Sequence, residues 1–324
     1  MNRKVAIFVL STVAVFAASS CVKIDQDPIV QEAISFAPVA AKSTKAIISG
    51  NEYPTTESFK VSAFFEGTQT YFENLTASYS NPYWVTSTSE YWPLEGTLTF
   101  YSFSPASASG VSIDSTNGVT ATGYTIQTSE QMTTDLCYAS TSAIDCVAHP
   151  NQVPLQFSHA LSQVVFRVKA ADYYTTASNE VALALTSLSL NGINSVGNFA
   201  NGTWSNQDSP RDYTISNTLT TLTYNNQTPV TTDVASYLFL PQELGANASL
   251  SVGYKIVQVT RPSGQSYTLT NPPVTIHLGD TITQWEPGKK YIYTLNIGMN
   301  NLITFTATAV GWQDDDYNII VEEN

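Results

Sequence analysis

The chain has 324 residues, with 13 Lys and Arg against 26 Asp and Glu and a formal net charge of −13 at neutral pH. No cation falls between Lys60 and Arg167, so a phosphate-neutralising surface is missing and nucleic-acid binding is excluded. Charged residues make up only 12%, about half the usual share; Ser, Thr, Asn and 18 Tyr stand in their place, a composition that suits exposed β-sheet.

At the N-terminus Arg3 and Lys4 precede an apolar or small stretch from Val5 to Ala18, and Ser19-Ser20 lead into Cys21. This is the pattern of a secretory signal over residues 1–20, because the apolar run is shorter than the roughly 20 residues a membrane-crossing helix needs. Small residues directly before a cysteine are what lipoprotein processing requires, so Cys21 is expected to become the acylated first residue and to tether the chain to a membrane through its lipid. The alternative is a cut nearby that leaves Cys21 a free thiol. Residues 21–32 lack periodicity and read as the tether.

From there the apolar residues alternate with period two. The runs are Phe59-Val61-Ala63-Phe65, Leu98-Phe100-Ser102, Val164-Phe166-Val168, Leu183-Leu185, Leu250-Val252-Tyr254-Ile256, Tyr291-Tyr293-Leu295-Ile297 and Ile303-Phe305-Ala307. Each predicts a strand with one buried face. Glu66-Gly67, Asn81-Pro82, Asn191-Gly192, Asn201-Gly202, Pro262-Ser263-Gly264 and Glu286-Pro287-Gly288 read as turns between them. The class is all-β, with short antiparallel strands packed as sandwiches. The length suggests two domains, divided most naturally at the proline-bracketed turn His149 to Pro154, giving 33–153 and 154–324.

Cys137 and Cys146 either close a small disulfide loop in an oxidising compartment or sit as two buried thiols on adjacent strands. With His149 they supply three zinc ligands and no fourth. His149, His159 and His277 fall in no recognisable nucleophile, metal or acid–base pattern, so no catalytic residue, metal or cofactor is assigned and the chain is read as a non-enzyme. Exposed aromatics such as Tyr83-Trp84 or Trp204 offer the alternative of a glycan-binding surface lipoprotein outside any filament.

Several segments, in order, resemble the fimbrillin or Mfa-like family of lipoprotein pilins. They are Ile34-Ser35-Phe36 after Cys21, Tyr91-Trp92-Pro93 followed by Leu98 to Pro105, Thr134-Asp135-Leu136, Phe157-Ser158-His159-Ala160-Leu161-Ser162, Trp285-Glu286-Pro287-Gly288-Lys289, and Val310-Gly311-Trp312. The resemblance implies two transthyretin-like antiparallel β-sandwich domains in tandem. It also implies an outer-membrane, cell-surface fimbrial subunit whose partners are other pilin subunits, the membrane lipid through acylated Cys21, and surface glycans or proteins of a host or other bacteria. Assembly in that family removes the first strand by proteolysis and fills the groove with a strand of the next subunit. Here the removable strand is Ala33–Ala41, with Ile34 and Phe36 on its buried face, and cleavage is expected after Lys45 or Lys42. The family's processing follows Arg, and residues 22–166 contain none, which points to a Lys-accepting protease or to an unprocessed tip or base subunit. Tyr317, Ile319 and Val321 alternate near the C-terminus as a candidate donor strand.

Overall fold

A computed structural model describes residues 31–40, 53–261, 263–299 and 303–312. The predicted alternating runs all lie on strands. In the first half these are β1 (Phe36–Ala40), β2 (Ser58–Phe65), β3 (Gln69–Ser80), β4 (Tyr83–Thr86), β5 (Thr97–Ser104), β6 (Val111–Asp114) and β7 (Gly118–Thr125). A 3-10 turn at Gln131–Thr133 leads to β8 (Cys137–Ser140), β9 (Ile144–Asp145), β10 (Val153–His159) and β11 (Ser162–Ala170). The long β12 (Asn179–Ala200) and β13 (Thr203–Ser216) precede three two-residue strands, β14 (Thr220–Thr221), β15 (Tyr224–Asn225) and β16 (Thr228–Pro229). The chain continues through β17 (Thr232–Phe239), β18 (Ser249–Thr260), β19 (Gln265–His277), β20 (Lys289–Ile297) and β21 (Ile303–Gly311).

The first core is enclosed by a ring. Strands run in the order β2-β3-β4-β1-β10-β8-β5, and β5 pairs back onto β2, so seven staves close on themselves with β9 attached to β5. This differs from the two facing open sheets expected of a sandwich: closure leaves the ring no free edge. Phe36, Phe59, Phe100, Phe157, Trp84 and Trp92 fill the interior. Glu66 (φ 49°) and Gly67 (φ 73°) make the left-handed turn of the β2–β3 hairpin, where glycine avoids the Cβ clash.

The second core lies between two sheets. One has the order β17-β11-β20-β21 and the other β19-β18-β12-β7-β6, with β13 and β14 also paired to β12. Val164, Phe166 and Val168 of β11 and Tyr293 and Leu295 of β20 share one cluster with Leu183, Leu185, Val252 and Tyr254 of the opposite sheet. The stretch read as a turn at Asn191-Gly192 is a bulge inside β12, where the ladder to β13 skips between Leu190 and Ile193. Alternating sequence on both sides outlasts one left-handed glycine (Gly192, φ 70°), so the strand kinks and continues.

Among the described residues the chain crosses between the cores three times. β10 begins at Val153, inside the proline-bracketed turn, and is a stave of the first ring, while β6–β7 leave the first half to pair with β12. The third crossing is at Ala160-Leu161, between β10 and β11. The described residues from Glu32 to Trp312 accordingly fall in one compact unit.

Candidate functional site

The first candidate site is the seat of β1. Ile34, Phe36 and Pro38 alternate inward and are buried, and Phe36 is completely enclosed, edge-on to Phe59 and Phe100 at 5.9 Å each. Burial of each large side chain contributes about 1.5–3 kcal/mol. The strand is held unequally. It runs parallel to β10 over five consecutive pairs, Phe36↔Val153 to Ala40↔Phe157, but meets β4 at the single pair Phe36↔Trp84. Backbone groups of Ile34 and Phe36 face the β4 side, so Pro38, two residues on, lacks its N–H where that ladder has already ended. The start of the strand is gripped by the Tyr91-Trp92 motif: the Ile34 N–H donates to the Glu90 carbonyl at 2.8 Å and the Trp92 N–H to the Glu32 carbonyl at 3.0 Å. His149 stacks on Trp92 at 4.3 Å, with its Nε2 3.8 Å from the Glu32 carboxylate. Cys21, Lys42, Lys45, Tyr317, Ile319 and Val321 lie outside the described residues.

The second is a buried junction where four of the family-like motifs meet. His159 ends β10, and its Nδ1 lies 2.8 Å from Oδ2 of Asp135 and 3.4 Å from Sγ of Cys137. Trp312, just past β21, stacks on the imidazole at 4.1 Å and 7°. Main-chain bonds tie the same segments: the Ala160 N–H donates to Leu136, the Gly288 N–H to Leu161, and the Trp312 N–H to Gly288. The Ser162 hydroxyl donates to the Glu286 carbonyl at 2.7 Å. These residues span the third crossing, so they weld the ring to the second core. Asp135, Cys137 and His159 bring three metal-capable atoms within 4.8 Å of one another, but among the described residues no fourth side chain joins them, as a closed tetrahedral centre needs. Nor do they form a nucleophile relay, which uses both imidazole nitrogens; here the thiol and the carboxylate share Nδ1. Burial first, then the nearby Asp135 charge, pushes the Cys137 thiol well up, which keeps it protonated and unreactive. Asp135, His159 and Trp312 stand in family-like motifs far apart in the chain, and their meeting with one another and with Cys137 leaves no local signal in the sequence, because it is made across three strands.

The disulfide considered for Cys137 and Cys146 does not form. Both are free, buried thiols. Cys137 pairs with Ser104 at one end of β5, whereas Asp145 pairs with Thr97 and the Cys146 N–H donates to Gly96 at the other. Eight residues of strand, ~26 Å at ~3.3 Å each, separate them, and a disulfide requires Cα atoms within about 7 Å. Of the aromatics considered for glycans, Trp84 is buried in the ring against Tyr53 and Phe59 and cannot serve. Tyr83 is exposed, and Trp204 is half-buried beside a cavity between β13 and the loop that follows β17.

Among solved structures, a candidate cell adhesion protein of Bacteroides eggerthii superposes with a TM-score of 0.52 at 16% identity, covering 87% of this chain and 96% of its own. A candidate cell adhesion protein of Bacteroides uniformis gives 0.48 at 15% identity, over 87% and 99%. The fimbrial anchor protein Mfa2 of Porphyromonas gingivalis gives 0.36 at 10% identity, over 86% and 98%. No curated protein sequence matches. The fimbrillin-like family matches residues 44–312, most of the chain, and the chain therefore belongs to that family.

Proposed function

We propose that this chain is a structural subunit of cell-surface fimbriae, exported as an outer-membrane lipoprotein through Cys21 and assembled by strand exchange at the seat of β1. The observation that carries the reading is that β1 is a complete stave of the ring, buried on one face, yet joined to β4 by one pair. Its departure leaves the five-residue row of β10 and the one pairing position on β4 without partners, above a trough lined by Phe59, Phe100, Leu155 and Phe157. An incoming strand satisfies those positions and buries alternate side chains, which is β-augmentation. In this reading the two cores correspond to tandem transthyretin-like sandwiches, the first closed into a ring by the strand it will exchange. Tyr317, Ile319 and Val321 supply the donor. The Asp135–His159–Trp312 junction has an architectural role, keeping the two cores of each subunit in line along the filament.

Release of β1 falls to a Lys-directed enzyme, after Lys45 or Lys42. Lys60, the next cation, is held on β2, where its Nζ donates to the Thr76 hydroxyl at 2.8 Å and to the Asn74 carbonyl at 3.2 Å. Incubating purified protein with Lys-specific and Arg-specific proteases in parallel tests the proposal. A new N-terminus at residue 43 or 46 and a boiling-resistant ladder are expected with the Lys-specific enzyme alone. A chain that retains residues 33–41 under both and never forms a ladder overturns strand exchange.

A further inference from the structure

Gly192, in the β12 bulge, has φ 70°, and a Cβ there would lie 2.4 Å from the Asn247 carbonyl oxygen. Only glycine lets the 241–248 loop come down this close over the β12–β13 ribbon. Beside that contact is a half-open cavity of about 710 Å³, within the roughly 300–1,000 Å³ typical of small-molecule sites.

The walls are braced before any ligand arrives. Gln242 is buried; its Nε2 donates to the carbonyls of Asn194 and Leu240, both at 3.1 Å, and its Oε1 accepts the Asn194 N–H at 2.8 Å. Gln207 Nε2 donates to the Pro241 carbonyl. Trp204, also in the lining, is fixed by its Nε1 donating to the Ala160 carbonyl at 2.6 Å and by Phe199 packed at 5.2 Å. On this frame Asn194, Asn247 and Gln284 line the space, and their side-chain amides make no hydrogen bond to the other described residues. Each amide is both donor and acceptor, the combination that vicinal hydroxyl groups require, and an indole offers an apolar ring to the C–H face of a pyranose. Glu243 is the one charged lining residue. With no cation in the wall, a carboxylated or sulfated sugar meets repulsion, and a purely apolar ligand finds a single aromatic ring.

We propose that this cavity binds a neutral oligosaccharide, of unsubstituted or N-acetylated hexoses. The site belongs to the subunit itself and is independent of strand exchange, so it gives a fimbrial or a solitary surface protein a contact with glycans.

The test uses purified, unpolymerised protein on an array of neutral, sialylated and sulfated glycans, followed by calorimetric titration of the best neutral ligand. Neutral glycans should bind at millimolar or tighter affinity and anionic ones should not. Asn247→Ala combined with Gln284→Ala removes two exposed amides outside the core. At about 1 kcal/mol for each lost hydrogen bond it should weaken binding roughly 10- to 30-fold with the melting temperature unchanged. Failure of every neutral glycan to bind at millimolar concentration, a preference for anionic glycans, or equal binding by the well-folded double variant overturns the proposal. Failure to polymerise leaves it standing.

Discussion

The two cores are closed by different means. The ring depends on β1, which is parallel to β10 and touches β4 at one pair. The second core is held by long ladders: β12 pairs with β18 from Asn179↔Thr260 to Asn191↔Ser249, and β20 with β21 from Lys289↔Gly311 to Ile297↔Ile303. A wall with one short, unevenly held stave can be opened there at the cost of that stave's burial, while a wall of long ladders opens only by unfolding. The contrast makes the first core the more readily opened of the two and the second the more permanent.

Phe36→Ala should break the comparison most sharply. It empties the centre of the ring at a cost of about 3–5 kcal/mol. Hydrogen exchange should then rise in β4 and β10 while β12 and β18 keep their protection, since local opening follows the weaker unit. Uniform loss across both cores would show that the ring is not separately openable.

His159→Ala acts on the weld. It removes the stacking partner of Trp312 and the imidazole bonded to the buried Asp135 side chain, a loss of roughly 1–3 kcal/mol. Calorimetry should resolve two melting transitions where the parent protein shows one. Retention of a single transition would mean that the cores are coupled through the three chain crossings rather than through this cluster.

Thiol labelling sharpens the same picture with a smaller energetic effect. Cys137 should resist alkylation in the native protein and react fully on denaturation, and mass spectrometry should find Cys137 and Cys146 both reduced after air oxidation. A mass loss corresponding to a bridge between them would contradict the placement of these residues at opposite ends of β5.

The smallest effect concerns the hairpin that crosses to the second sheet. The Asp114 carboxylate accepts the N–H groups of Thr116 and Asn117 at 2.8 and 2.7 Å, and the Asn117 bond does most to hold its pKa below the ordinary carboxylate value. A group depressed in the folded state stabilises above its unfolded pKa, and that stability is lost as pH falls through the folded value. At an exposed site the contribution is below about 1 kcal/mol. Asp114→Asn should flatten the acid-side slope of stability without changing the neutral melting temperature greatly.

Much of this was legible in the chain. The family resemblance puts Ile34 and Phe36 on one buried face of the first strand, and both are buried. The strand runs at Phe59, Val164, Leu250 and Tyr291 were equally plain. Gly192 was misleading: a left-handed glycine signals a turn or a bulge alike, and only the partner strand distinguishes them. Cys137 and Cys146 looked close because nine positions of sequence say nothing about the two ends of β5 between which they are divided.

By itself the sequence determined an acidic, cation-poor, all-β chain with known inward faces, since period and charge are local properties of neighbouring residues. Only the tertiary structure decided which strands pair: that β1 lies parallel to β10 and completes a ring, that β6–β7 cross to the second sheet, and that Asp135, Cys137, His159 and Trp312 meet. The physical reason is that every strand offers the same backbone donors and acceptors on both edges. The choice of partner rests with side-chain packing summed over the whole core, a quantity no single segment contains.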